Sequence, residues 1–105
     1  MAKKTNGDVR AVLVTTEHRG VFFGYTTDAN IEAWEANTNA SVKLSRARNC
    51  LYWPVSQRGF IGLASDGPKD GAKVGPAADI ALAKITAIGD VAPEAIDRWE
   101  NAPWK

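Results

Sequence analysis

The chain is poor in the residues that most often carry chemistry. One cysteine, Cys50, cannot close an intramolecular disulfide and fits a reducing cytosolic compartment. One histidine, His18, leaves no multi-histidine metal site. No apolar run approaches the ~20 residues that cross a bilayer. The opening "MAKKTNGD" is basic and polar and leads into no apolar core of a signal peptide. The expected location is therefore cytoplasmic, with no membrane partner. Net charge is only +1, which lacks the basic surplus of a general nucleic-acid binder.

What the chain does have is apolar bulk. Of 105 residues 45% are hydrophobic, and four tryptophans supply large buried surfaces. The length suits one domain: residues 1–8 read as a flexible tail and 9–105 as a single domain. Charge is unevenly spread. From Val42 to Lys73 six basic residues face two acids, whereas from Val74 onward three basic residues face five acids. The middle of the chain is where a locally positive site is expected.

Periodicity predicts an α+β fold: a small, mainly antiparallel sheet or partly open barrel with a C-terminal helix. "VRAVLVTT" reads as an interior strand, apolar on both faces from Ala11 to Val14. "EHRG" turns the chain, where Gly20 can take positive φ, and "VFFGYTT" returns as the hairpin partner. "DANIEAWEANTNA" is either a short helix near residues 29–37, capped by Asp28 or Asn30, or a decorated loop. "SVKLS" places Val42 and Leu44 inward. Continued alternation would bury Arg46 and Arg48, at high cost unless each is paired. A phase change at "RARN" is expected instead, a turn or bulge that aims Arg46 or Arg48 at a specific target. "CLYWPV" resumes a strand that ends near Pro54. "RGFIGLAS" fits a strand or one helical turn, "DGPKDGAKVGP" a loop, and "ALAKITAI" a further strand. Pro93 opens the last helix, with Ala92, Ala95, Ile96 and Trp99 on one face.

Catalytic patterns are weak. Gly67 and Gly71 flank "PKD" without the Gly-Lys-Ser/Thr of a phosphate-binding loop. No spacing supports a Cys50–His18 pair, and a lone cysteine is ordinarily a small buried hydrophobe. The expectation is a non-enzymatic protein with no cofactor and no metal. Binding residues are better supplied. Arg19, Arg46, Arg48 and Arg58 stand at predicted turns, where guanidinium groups offer paired hydrogen bonds to phosphate or carboxylate. Tyr52 and Trp53 offer stacking faces, one of them inward because neighbours on a strand point opposite ways. Lys69 and Lys73 lie on a loop able to close over a ligand. Four tryptophans, with Trp34 and Trp104 beside irregular segments, further predict a homo-oligomer.

The segments "VTTEHRGVFFG", "ARNCLYWP", "RGFIGLAS", "GPKDGAKVGPA" and "PEAIDRWENAPW" together resemble a family of small uncharacterised bacteriophage and prophage proteins. The resemblance implies no catalytic motif. It implies a setting, the host cytoplasm, in which small phage proteins neutralise host defences. On that implication the expected function is sequestration of a nucleotide-derived anionic signal of host immunity. The alternative is inhibition of a host defence protein by direct binding.

Overall fold

A computed structural model describes residues 9–17 and 20–102. The tail expected at residues 1–8, His18, Arg19 and Trp104 lie outside the described residues. Five strands form one antiparallel open sheet: β1 (Val9–Thr16), β2 (Val21–Thr27), β3 (Val42–Tyr52), β4 (Lys73–Leu82) and β5 (Ile85–Asp90), in the order β4-β3-β2-β1-β5. Three helices accompany them: α1 (Asp28–Ala36), α2 (Gly59–Asp66) and α3 (Pro93–Asn101). A 3-10 turn at Val55–Gln57 leads into α2. The α+β class and the C-terminal helix expected from periodicity are both present.

The connection between β4 and β5 dictates the shape of the sheet. The two strands occupy opposite edges, yet only Ala83 and Lys84 separate them. From Leu82 to Ile85 the backbone reaches at most about 11 Å. The outer strands of a flat five-stranded sheet would stand about 19 Å apart. The sheet therefore curls until its edges meet at this corner. Lys84 turns the chain there in the left-handed region, at φ 56°, and its carbonyl accepts from the Glu17 N–H at 2.9 Å. The strand read over "ALAKITAI" is thus two strands broken at Lys84.

Strand alternation sorts the apolar residues into two cores. On one face Leu13, Phe23, Cys50 and Val74 pack against Leu63 and Ala64 of α2 and Ala95 and Trp99 of α3. The Phe23 and Trp99 rings stack in parallel with centroids 5.2 Å apart. On the other face Val12, Val14, Val42, Leu44 and Ile85 pack with Ile31 of α1, joined by Trp34. Trp53 also packs against the first core, so the three described tryptophans find cover within their own chain. Among the described residues the exposed large apolar side chains are instead Val9, Leu51, Tyr52, Val55 and Ile61.

Several local expectations are corrected. A Cβ on Gly20 would lie 2.6 Å from the Phe22 ring and 2.8 Å from Thr16 Oγ1, so those two side chains would have to shift to admit one. The cap of α1 is Thr27 rather than Asp28 or Asn30, and its hydroxyl accepts from the Asn30 N–H at 3.1 Å. "RGFIGLAS" contributes an eight-residue helix rather than a strand or a single turn. The loop expected over "DGPKDGAKVGP" ends early, because Lys73 already begins β4.

The phase change at "RARN" is real. Arg46 sits at φ 49°, and the β2–β3 register shifts between Phe23 and Tyr25. A bulge puts an extra residue into β3, so Leu44 and Ala47 face one core while Arg48 and Cys50 face the other. Gly24 makes room for it, since a Cβ there would meet Leu44 Cβ at 3.0 Å and Ala47 Cα at 3.3 Å.

Arg48, thereby turned inward, is 6% exposed. Its Nε donates to the Gly75 carbonyl at 2.7 Å, and Nη1 donates to the carbonyls of Trp99 at 2.8 Å and Glu100 at 3.3 Å. It caps the C-terminus of α3, where unpaired carbonyls and the helix dipole favour a cation. Replacing Arg48 by Met removes these bonds and leaves buried carbonyls bare. The expected loss is about 2–4 kcal/mol of unfolding free energy, measured by urea denaturation. Arg46→Ala, at an exposed position, is expected to cost no more than about 1 kcal/mol.

Candidate functional site

The largest cleft among those described, about 720 Å³, lies between the loop that follows α2 and the end of α3. Lys69, Asp70 and Lys73 line one side, and Arg98 and Asn101 the other. Three cations against one carboxylate make it a positively charged hollow. A second cleft, of about 400 Å³, has the opposite character. Asp28, Glu32, Glu35 and Asp90 surround Arg10 there, and Arg10 is already ion-paired to Asp28 and Asp90. An anion is favoured in the first cleft and repelled from the second.

The walls of the basic cleft are built by buried groups. Gln57 is fully buried; its Nε2 donates to the Gly67 carbonyl at 2.7 Å, and its Oε1 accepts from the Lys69 N–H at 3.0 Å. The loop is thus fixed at two points from beneath. The Ala72 N–H closes a turn on the Lys69 carbonyl at 3.0 Å, and Gly71 lies against Pro54. On the opposite side α3 is pressed close to the end of α2. A Cβ on Gly67 would lie 2.9 Å from Arg98 Cβ and 3.0 Å from the Ala95 carbonyl. Gly67 is also at φ 77°, so glycine is required there for both reasons. Trp99 Nε1 donates to the Leu63 carbonyl at 3.1 Å and fixes the same helix from inside.

The residues singled out in the sequence divide among several places. Lys69 and Lys73 line the basic cleft. Tyr52 is exposed and is the cross-strand partner of Lys73, so the two side chains leave the same face of the sheet. Trp53 is the inward member of the Tyr-Trp pair. Arg58 is exposed at φ 66° on the entry to α2, and its guanidinium has no partner among the described residues. Arg46 and Arg48 are both engaged with the end of α3. The Arg46 guanidinium lies 4.2 Å from the centre of the Tyr25 ring and 3.4 Å from Glu100, while its backbone N–H donates to Asp79 at 2.9 Å. Tyr25 hydrogen-bonds Glu100 in turn, and burial followed by that bond raises the pKa of the phenol.

The arginines of "RARN" therefore hold the helix that forms one wall of the cleft, while the cleft's own arginine is Arg98. Sequence reading missed Arg98, Asn101 and Gln57. Arg98 stands in the last turn of an expected helix, and only its proximity to Lys69 marks it. Gln57 follows no periodic signal at all. Among the described residues no cluster of three or more His, Cys, Asp or Glu side chains is placed to hold a metal ion. None of the described helices is long and apolar enough to cross a membrane.

The chain belongs to the family defined by a domain of unknown function, DUF6948, whose model matches residues 9–99. No curated protein and no solved structure matches it.

The chemistry of Cys50 follows from its surroundings. It is 4% exposed, and burial pushes its thiol up to about 11 from the ordinary 9.0. At neutral pH it is a protonated, packed side chain and a poor nucleophile. Native protein at pH 8 is expected to resist a disulfide-exchange thiol reagent that titrates one thiol after unfolding in urea. Because the unfolded thiol ionises first, its linkage lowers stability as pH rises from about 9 to about 11 and adds no pH dependence below that window.

Proposed function

We propose that this member of the family is a non-enzymatic binding protein that sequesters a nucleotide-derived anionic ligand in the basic cleft. The observation that carries the reading is the convergence of Lys69, Lys73 and Arg98 around one hollow whose loop is held rigid from below by Gln57. A loop backbone fixed before binding avoids the ordering cost that a mobile loop would incur. Exposed Tyr52, beside Lys73, supplies a stacking face for a base next to the charged end. The resemblance to small bacteriophage proteins adds a setting in which the ligand is a host immune signal and the protein acts as a sponge.

A second reading rests on a different surface. Leu51, Tyr52, Val55 and Ile61 are all exposed within residues 51–61, with Val55 95% and Ile61 77% accessible. Apolar side chains left in water at this density favour binding to a protein, either a host defence factor or a second copy of the chain.

Heat denaturation of protein purified from cells separates the two. A sponge releases an intact nucleotide, seen by mass spectrometry, and a protein blocker releases none. With adenosine 5′-monophosphate as the probe, Lys73→Met and Arg98→Met are each expected to weaken binding about tenfold, the loss of one charge-assisted bond. Folded variants that both bind like the parent would rule the cleft out. For the second surface, sedimentation of the parent should show an oligomer that Val55→Asp and Ile61→Asp together convert to monomer.

A further inference from the structure

In the basic cleft one cation is already occupied. Lys69 Nζ lies 3.3 Å from Asp66 Oδ2, and Ser65 Oγ lies 3.3 Å from the other carboxylate oxygen. Arg98 Nη1 donates to the backbone carbonyl of the same Asp66 at 2.7 Å. Asp66 thus touches cations from both walls, although it is not among the residues that line the hollow.

Its position is unfavourable for the helix that bears it. Asp66 is the last residue of α2, where the helix dipole is negative and an acid is repelled. A carboxylate placed there for stability alone would be better replaced by an amide or a base. The ion pair is also half in water, with the Lys69 and Asp66 side chains 46% and 42% exposed, and such pairs contribute little to folding. What the carboxylate does is neutralise Lys69 while the cleft is empty.

Resting on the anion-binding reading, we infer that Asp66 is an internal counter-ion that competes with the ligand for Lys69. An incoming phosphoryl group takes Lys69 from Asp66 and bridges it to Lys73 and Arg98. The ligand class this fits is a phosphate monoester, whose three terminal oxygens can meet three cations from two walls. The exchange is inexpensive because the Asp66–Lys69 pair is solvent-exposed. Asp66 therefore limits affinity without closing the site and keeps a rigid basic cleft from holding every passing anion.

The test is a double-mutant cycle on the full chain, with adenosine 5′-monophosphate as the probe and thermal melts alongside. Asp66→Asn is expected to bind the probe roughly three- to fivefold tighter, the range that an exposed ion pair can supply. Its melting temperature should hold or rise, because a charge leaves the negative end of α2. In the Lys69→Met background the same change should give no gain. Parent-like or weaker binding by a folded Asp66→Asn protein overturns the inference, as does a lower melting temperature with no gain. An equal gain in the Lys69→Met background also overturns it, since Asp66 would then act only through its general field. If the parent binds the probe and Lys73→Met weakens it, those failures leave the anion-binding reading standing. No binding by either parent or Asp66→Asn removes both.

Discussion

A guanidinium group inside a protein must be surrounded by oxygen, and Arg48 meets that demand without a single carboxylate. Its acceptors are backbone carbonyls, one on edge strand β4 and two at the end of α3. Carbonyls of this kind are aimed only when the strand and helix are already in place. The residue therefore ties three elements into one geometry, and no exchange of side chains can substitute for it. The bulge at Arg46 exists in service of the same contact, because without the extra residue Arg48 would face the other core. Arg46, on the outside of that bulge, reaches Glu100 and completes the hold on the helix end.

The position of the basic cleft follows from this arrangement. One wall is the last turn of α3, set by Arg48 from the sheet and by the bond from its own Trp99 to Leu63 of α2. The other is a glycine-rich loop without regular structure, yet it is not free to wander. Gln57 occupies both a carbonyl and an N–H of the loop from a fully buried position. Walls that gather Lys69, Lys73 and Arg98 around one hollow incur some electrostatic cost while the cleft is empty. Asp66 offsets part of that cost.

Much of the fold could be read from alternation and punctuation. The central character of β1, the inward Val42 and Leu44, the break at "RARN" and the apolar face of α3 all follow from period and from the cost of burying charge. β4 was hidden because "KVGPAADIAL" has glycine, proline, alanine and aspartate where strands usually carry branched residues. Pairing with β3, rather than local preference, makes it a strand. α2 was obscured for a similar reason: two glycines weaken its helical signal, and burial of Leu63 and Ala64 overrides them. Of the candidate site, Lys69 and Lys73 were visible as charges on a loop. Arg98 was not, because it joins them only through the close approach of α3 at Gly67.

The order of strands also sets a timetable for synthesis. β1 has β2 as one neighbour almost at once, but its other neighbour is β5, made some seventy residues later. The ring on which Phe23 stacks belongs to Trp99, later still. Until those residues leave the ribosome, Leu13 and Phe23 have at most α2 to cover them, and the nascent hairpin carries a partly open apolar face. The sheet is thus completed only after β5 and α3 have been made. During translation the growing chain presents just the surface that chaperones recognise.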